Sequence, residues 1–585
     1  MTTVLGINMS HYASACLIID GVLVAAIGEE RLNRMKFSAA FPELSIRKVL
    51  EIGGISGKDV DLVAVGTRCE IFDSNKAQKN EYRKTTRAVS LASQLLPTRL
   101  VESDFLRYSY VGLIGNVRRY QFFSRYLPLF RELGIPKKKI RYFDHHTCHT
   151  AVAYHMCPWP EEPVLIFSCD GNGDGLCATV ATGADGSFQR QVIIPSIHSI
   201  GGLYARTTKF LGMAPWQDEY KVMGMAPWGE KRRAREVAEE FSKLWSVDGL
   251  TFRNNCGYAG DALVNHLNRR LCNRRFDHLC YGVQNLLEDI MTGWIHNNAR
   301  HFGIGKIACA GGVFLNVKSN KRIGELEEIE DMFFFPASGD DCISVGAAIL
   351  GYRQLARKRG GNELEPLKTV YWGEPIDAPI KRFVDTLQGQ PYRVERSENI
   401  NERIASLLAE DEIVARCTGR MEFGPRALGN RSILANPSNL RNVQRLNAMI
   451  KQRDFWMPFA GTVLDKFADR YLLNPKGFDS HYMIMSFDTK PEAREEITCA
   501  CHQADHTIRP QILVREYNPD YYDIIERFEA KSGIGAVLNT SLNLHGDPMV
   551  NLPEEAFHVL RNSALNHLAL GPYLISKEVS GEVST

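Results

Sequence analysis

Residues 4–30, VLGINMSHYASACLIIDGVLVAAIGEE, decide how the rest of the chain is read. The apolar run at 4–9 predicts a strand, Ser10-His11-Tyr12 a polar loop, and 15–19 a second strand. Asp20-Gly21 is a two-residue hairpin turn, since such turns need positive φ and Asp-Gly tolerates it. A third strand at 22–27 leads into Glu29-Glu30-Arg31. The pattern returns later: a strand at 164–168, the loop Cys169-Asp170-Gly171-Asn172-Gly173-Asp174-Gly175, a strand at 176–182, the turn Asp185-Gly186 and a strand at 187–194. A unit used twice predicts two equivalent lobes, each aiming its first hairpin loop into one cleft. Two unrelated hairpins of a common type would share the spacing.

Outward from these units the chain alternates helix and strand. Val283, Leu286, Leu287, Ile290, Met291, Trp294 and Ile295 follow helical spacing, with Gly303 where a cap belongs. A buried strand at 307–313 runs into Gly311-Gly312. A second, at 332–336, leads to Ser338-Gly339-Asp340-Asp341, and the small run Gly346-Ala347-Ala348-Ile349-Leu350 follows. The polar stretch 353–369 reads as a linker between a first domain, 1–352, and a second, 370–585. The second has helices of its own, marked by Leu440, Val443, Leu446 and Ile450.

Composition bounds the class. The 585 residues are 44% apolar and 24% charged, which excludes disorder, coiled coil and collagen. Seventy basic side chains face 68 acidic ones, so a basic nucleic-acid coat is not expected. The opening apolar run is broken by Asn8, His11 and Asp20 and lacks a basic leader, so neither a signal peptide nor a membrane span is expected. Fourteen cysteines without a leader read as reduced thiols of a cytoplasmic protein.

Three groups of residues carry chemistry. His145 and His149 stand four apart, which on a helix puts two imidazoles on one face. Asp170 and Asp340 each sit in a glycine-rich loop after an apolar strand. Two imidazoles with two carboxylates suit a divalent transition metal such as Fe²⁺, Mn²⁺ or Zn²⁺, although such histidines are also common as core residues and such aspartates as turn residues. Gly311-Gly312-Val313 followed by Asn316 would let backbone approach a base or phosphate, or would serve as a tight strand-to-helix turn. From 416 to 453 there are eight basic residues and one acid, Glu422, around the string Gly424-Pro425-Arg426-Ala427-Leu428-Gly429-Asn430-Arg431-Ser432. Glycines and proline put these arginines on loops that can converge on phosphate or carboxylate. A solvated basic face and a nucleic-acid stripe are the competing readings. The hydroxyl and amide groups of Asn539-Thr540-Ser541-Leu542-Asn543 follow a strand at 535–538. Cys499-Ala500-Cys501 has no second pair and reads as thiols only.

Taken in order, these segments resemble the O-carbamoyltransferases related to the nodulation-factor enzyme and to antibiotic-tailoring enzymes acting on cephems and tobramycin. The resemblance spans nearly the whole chain and adds Glu219-Tyr220-Lys221-Val222-Met223-Gly224, Arg509-Pro510-Gln511 and Gly546 to the stretches above. It implies an α/β protein: a duplicated actin/Hsp70-like (ASKHA) N-terminal domain, like the ATPase of tRNA threonylcarbamoylation, and a YrdC-like C-terminal domain. It implies that the second domain makes carbamoyl-AMP from carbamoyl phosphate and ATP/Mg²⁺, and that the adenylate passes through an enclosed chamber to a hydroxyl acceptor at the first. By residue, Arg426, Arg431, Lys451, Arg453, Arg509, Ser541 and Asn543 would hold carbamoyl phosphate and the adenylate. His145, His149, Asp170 and Asp340 would hold Fe²⁺. Gly311, Gly312 and Asn316 would line a nucleotide pocket, with Glu219 and Lys221 nearby. His11 would lie beside the transferred group as general base, with Arg426, Lys451 and Arg509 completing the catalytic set.

The partners expected are a small hydroxylated acceptor, no membrane and no nucleic acid, with a homodimer allowed. The chain departs from the family pattern at Tyr12, Asp341-Cys342, Asn436-Pro437, Met457, Gly461 and His545, and a basic, aromatic-containing stretch at 74–119 has no counterpart. Rival readings are carbamoylation or threonylcarbamoylation of tRNA, which would want a broad basic surface, and a regulatory ATPase, which would need neither metal residues nor the arginine loop.

Overall fold

The Asp20-Gly21 turn takes the geometry its residues dictate, with φ of +48° at Asp20 and +89° at Gly21, and Asp185-Gly186 repeats it at +48° and +66°. In this computed structural model, residues 1–68, 125–451 and 453–578 are described; the stretch at 74–119 lies outside them. The chain divides into two units, Met1–Asn33 with Phe37–Leu367, and Arg34–Lys36 with Lys368–Thr585.

The first unit holds two sheets of one design. In the first, β1 (Thr3–Asn8), β2 (Ser14–Ile19) and β3 (Val22–Gly28) are antiparallel neighbours, while β4 (Leu62–Val65) and β5 (Ile140–Tyr142) continue parallel to β1. In the second, β6 (Val164–Gly173), β7 (Leu176–Ala184) and β8 (Ser187–Pro195) are antiparallel neighbours. After a separate hairpin of β9 (Trp245–Asp248) and β10 (Thr251–Asn254), β11 (Lys306–Ala310) and β12 (Asp331–Phe334) extend that sheet parallel to β6. The orders are β3-β2-β1-β4-β5 and β8-β7-β6-β11-β12. Corresponding strands therefore occupy corresponding places, as the repeated hairpin predicts.

Small residues bring the functional segments close. Helix Ile343–Arg359 crosses β1 at Gly6, where a Cβ would sit 1.9 Å from the Ser344 carbonyl oxygen. The same helix meets helix His145–Met156 at Gly346, where a Cβ would be 2.1 Å from the Cys148 carbonyl oxygen. Helix Phe276–Phe302 ends at Gly303, φ +64°, at the predicted cap. The start of the expected linker needs correction. Helix Ile343–Arg359 continues through 353–359 because Arg, Gln, Leu, Ala and Lys favour helix and the basic last turn suits its negative end. Gly360, at φ +72°, stops it.

In the second unit the main strands are β13 (Tyr392–Arg396), β14 (Val414–Cys417), β15 (Arg431–Ala435) and β16 (Ala460–Leu464). After β17 (Leu472–Leu473), β18 (Phe487–Thr489) and β19 (Thr507–Ile508), which form a small sheet, come β20 (Pro510–Leu513), β21 (Ala536–Ser541), β22 (His567–Leu570) and β23 (Tyr573–Lys577). The mixed main sheet runs β13-β23-β22-β14-β15-β21-β16-β20, over a core including Ala415, Ile433, Leu538, Leu568 and Ile575. Its registers put the start of β15, the end of β21, and the starts of β16 and β20 at one end. The arginine loop, Ser541 and Arg509 therefore share that end.

Candidate metal centre and anion site

In the first unit, His145, His149, Asp170 and Asp340 offer ligand atoms that all lie within 4.8 Å of one another. Local rules deliver each of them. Asp144 caps helix His145–Met156, accepting from the Thr147 N–H at 2.9 Å and from its hydroxyl at 2.7 Å. With the first turn fixed, His145 and His149 project from one face. Asp170 stands near the end of β6, and Asp340 opens the short turn Asp340–Cys342 ahead of helix Ile343–Arg359. The Nε2 of His145 is 3.4 Å from Asp170 Oδ2 and 3.5 Å from Asp340 Oδ1, while that of His149 is 3.9 Å from each. An ion bound at about 2.0–2.2 Å by nitrogen and carboxylate asks for donor spacings of roughly 3–3.5 Å. The His145 pairs meet that spacing and the His149 pairs need a small closure.

The remaining atoms hold the set in place. Oδ1 of Asp170 accepts the Gly312 N–H at 3.0 Å, and Oδ2 of Asp340 accepts the Ser10 hydroxyl at 3.0 Å. Gly173 leaves room for the His145 ring, since a Cβ there would lie 2.1 Å from His145 Cδ2. Burial would raise the Asp170 carboxyl, but hydrogen bonding to His145 and the neighbouring imidazoles outweigh it and hold the group below its ordinary value, ionised. Burial, then His145, drives His149 well below its usual value, so its imidazole is neutral. Its Nε2 is buried with no hydrogen-bond partner among the described residues, an arrangement costly unless something binds there. A neutral imidazole at His149 and an ionised carboxylate at Asp170, beside His145 and Asp340, fit a divalent transition metal.

The first hairpin loop faces this cluster. Asn8 donates through Nδ2 to the carbonyls of His11, Tyr12 and Asp340 at 2.9, 3.1 and 2.8 Å, tying the loop to the Asp340 turn. His11 is lowered by burial against the opposing charge of Asp170, which marks it as a neighbour of the cluster. Glu219 accepts the Trp216 N–H at 2.6 Å and is pushed up to about 7 by burial. Lys221 pairs with Asp218 at 3.3 Å.

Gly311, Gly312 and Asn316, expected at a nucleotide pocket, also have roles in the fold. Gly311, at φ +116°, lies where a Cβ would meet the Cys169 carbonyl oxygen at 2.1 Å, and Gly312 serves the Asp170 carboxylate. The glycine pair thus supports the acidic cluster. Asn316 caps helix Val317–Gly324 through its Oδ1 and exchanges two hydrogen bonds with Gln284, at 3.0 and 2.9 Å, so its amide is committed to the fold.

In the second unit the basic residues separate into two kinds. Arg431 is fully buried and donates to the carbonyls of Asn551, Thr418, Asn430 and Gly419, at 3.1, 2.5, 3.2 and 3.3 Å. Its guanidinium therefore serves the fold of the arginine loop. Arg509 is different: burial, then the charges of Arg426 and Arg453, lower it well below its ordinary value. Lys451 is likewise lowered by burial, then by Arg453 and Lys36. Its Nζ reaches the carbonyl of Ser541 at 2.6 Å and Oδ1 of Asn543 at 2.9 Å. Arg453 donates to the Thr540 hydroxyl at 3.3 Å. Arg426, Arg453, Arg509 and Lys451 thus crowd together with Ser541 and Asn543, and an anion is the ligand that relieves such crowding.

Sequence reasoning missed four contributors. Ser10 and Asn8 lay inside a stretch read for its hairpin. Glu422, the lone acid among the basic residues, accepts the N–H groups of Leu428, Asn430 and Arg431 at 2.8, 2.8 and 3.2 Å and so folds the arginine loop. Trp216, at φ +69°, lies against Gly171, where a Cβ would be 2.3 Å from the indole. No spacing announces it.

Comparison with known proteins gives a consistent result. Residues 3–349 match the family described as carbamoyltransferase N-terminus and residues 405–577 that described as carbamoyltransferase C-terminus. The chain is 29% identical to nodulation protein NolNO of Sinorhizobium fredii over 97% of its own length and 79% of that protein's. It is 26% identical to 3'-hydroxymethylcephem-O-carbamoyltransferase of Amycolatopsis lactamdurans over 45% of its own length and 47% of that protein's. Among solved structures, full-length HypF in the phosphate- and nucleotide-bound form aligns over 60% of this chain and 56% of that one, with 12% identity and a TM-score of 0.30.

Proposed function

The chain belongs to the carbamoyltransferase family, and from that premise we propose an ATP-dependent O-carbamoyltransferase whose two units divide the reaction. The second unit activates the carbamoyl group. Carbamoyl phosphate, ATP and water give carbamoyl adenylate, pyrophosphate and phosphate, the carbamate oxygen replacing pyrophosphate on the α-phosphorus. Arg426, Arg453, Arg509 and Lys451 neutralise the phosphates, and Ser541 and Asn543 hold the planar amide. In the first unit an acceptor hydroxyl then attacks the carbamoyl carbon and AMP leaves. His11 takes the hydroxyl proton, as a neutral imidazole can.

His145, His149, Asp170 and Asp340 would hold the divalent ion, for which Fe²⁺ is our assignment. When bound, such an ion supplies positive charge for the carbonyl oxygen or the phosphate. The repeated order of the two five-stranded sheets supports an actin/Hsp70-like first domain. The anion site at one end of the mixed sheet is compatible with a YrdC-like second domain. A small hydroxylated natural product is the proposed acceptor class, supported by the relative that acts on a hydroxymethylcephem. No helix among the described residues is long and apolar enough to cross a membrane.

The observation that carries this reading is the crowding of Arg426 and Arg453 around the buried Arg509, whose Nε has no hydrogen-bond partner among the described residues. The test is pyrophosphate release from ATP. It should require carbamoyl phosphate, and the same rate with and without that compound would overturn the assignment.

A further inference from the structure

His149 is fully buried, and its ring nitrogens meet different neighbours. Nε2 faces the two carboxylates, while Nδ1 lies 3.2 Å from the Sγ of Cys342, itself fully buried. A neutral imidazole carries one proton. To offer a lone pair to a cation, Nε2 must be bare, so the proton sits on Nδ1 and points at sulfur. If the thiol donated to Nδ1 instead, the proton would move to Nε2 and block the ion.

We propose that Cys342 is a positioning residue: its sulfur accepts the Nδ1–H of His149 and so fixes the tautomer that turns Nε2 toward Asp170 and Asp340. The inference rests on the metal reading of the first unit. The turn Asp340–Cys342 is built for both tasks. It is closed by the Cys342 N–H donating to the Gly339 carbonyl at 3.1 Å and anchored by Asn8 on the Asp340 carbonyl at 2.8 Å. One rigid turn thereby delivers a carboxylate ligand and the group that orients an imidazole ligand. Sulfur is not placed to be a ligand itself, because Nδ1 and Nε2 point in diverging directions. Groups that hold the second nitrogen of a metal-bound histidine typically change metal affinity about 10–100-fold when removed.

The test uses the full chain, stripped of metal and titrated with Zn²⁺ and Co²⁺ against a competing chelator. Cys342→Ala and the bulkier Cys342→Val remove the acceptor, Cys342→Ser restores an oxygen acceptor, and Cys280→Ala, a buried cysteine of helix Phe276–Phe302, controls for lost packing. The expected result is about 10–100-fold weaker binding in the Ala and Val variants, partial recovery with Ser, and wild-type affinity in the Cys280 variant. Wild-type affinity in Cys342→Ala and Cys342→Val, or a Ser variant as weak as Ala, overturns the proposal. So does a thiolate-to-cobalt absorption band in the wild type that Cys342→Ala abolishes, since sulfur would then be a ligand. If the wild-type chain binds neither ion, the metal reading itself fails, a result distinct from the others.

Discussion

Four backbone carbonyls depend on the guanidinium of Arg431, so Arg431→Gln leaves buried acceptors without donors. The expected cost is about 2–4 kcal/mol, read as a lower melting temperature of the ligand-free protein. Arg509 has the opposite energetics. It is lowered by burial and by like charges, so its positive charge costs stability until an anion neutralises it. Arg509→Gln should leave the melting temperature unchanged or higher. It should also raise the apparent KM for carbamoyl phosphate at least about tenfold, the loss of one charge-assisted contact. A coordinated fall in both melting temperatures would show that Arg509, too, is structural. Gly173 tests the first unit. A Cβ there meets the His145 ring at 2.1 Å, so Gly173→Ala should displace the imidazole and weaken Zn²⁺ binding about tenfold or more in a chelator competition.

Helix His145–Met156 is the element that ties the metal ligands to the core, and its far end carries a pH sensitivity separate from theirs. His155 is 3% exposed and pushed down to about 3, chiefly by burial and then by Arg353 and Arg357. The unfolded chain takes up this proton near pH 6.5 and the folded chain does not until about 3. The stabilisation is complete above pH 6.5 and is lost as pH falls, by about 1.4 kcal/mol per unit from this group. Thermal melts between pH 7.5 and 5.5 should therefore fall less steeply in His155→Gln than in the wild type; equal slopes would refute it. Elements of this kind were legible because their rules are local. Asp-Gly demands its turn, and a spacing of four its shared face. The packing around Gly311 and Gly312 was not legible, because the groups those glycines admit, Cys169 and Asp170, are far along the chain. The acceptors of Arg431 were hidden for the same reason, since they include Asn551. The arginine loop announced its charge, but not which guanidiniums its own fold would consume.

Across the whole molecule, the two clusters belong to different units, and the proposed chemistry separates with them. His11→Ala should leave carbamoyl phosphate-dependent pyrophosphate release within about twofold of wild type while abolishing transfer, because imidazole acts only after the adenylate exists. Loss of pyrophosphate release in that variant would reassign the labour between units. At carbamoyl phosphate concentrations well below its raised KM, Arg509→Gln should fail at the earlier step. These two defects allow a sharper test of how the intermediate travels. A carbamoyl adenylate is a mixed anhydride, open to attack by any water it meets. If each chain uses the adenylate it makes, an equimolar mixture of His11→Ala and Arg509→Gln chains should transfer no more carbamoyl group than either alone, although the first still releases pyrophosphate. Recovery of transfer in the mixture, suppressed by added hydroxylamine as a trap, would mean that the adenylate is released and recaptured. That outcome would leave both half-sites as assigned and overturn only the retention of the intermediate by the chain that forms it.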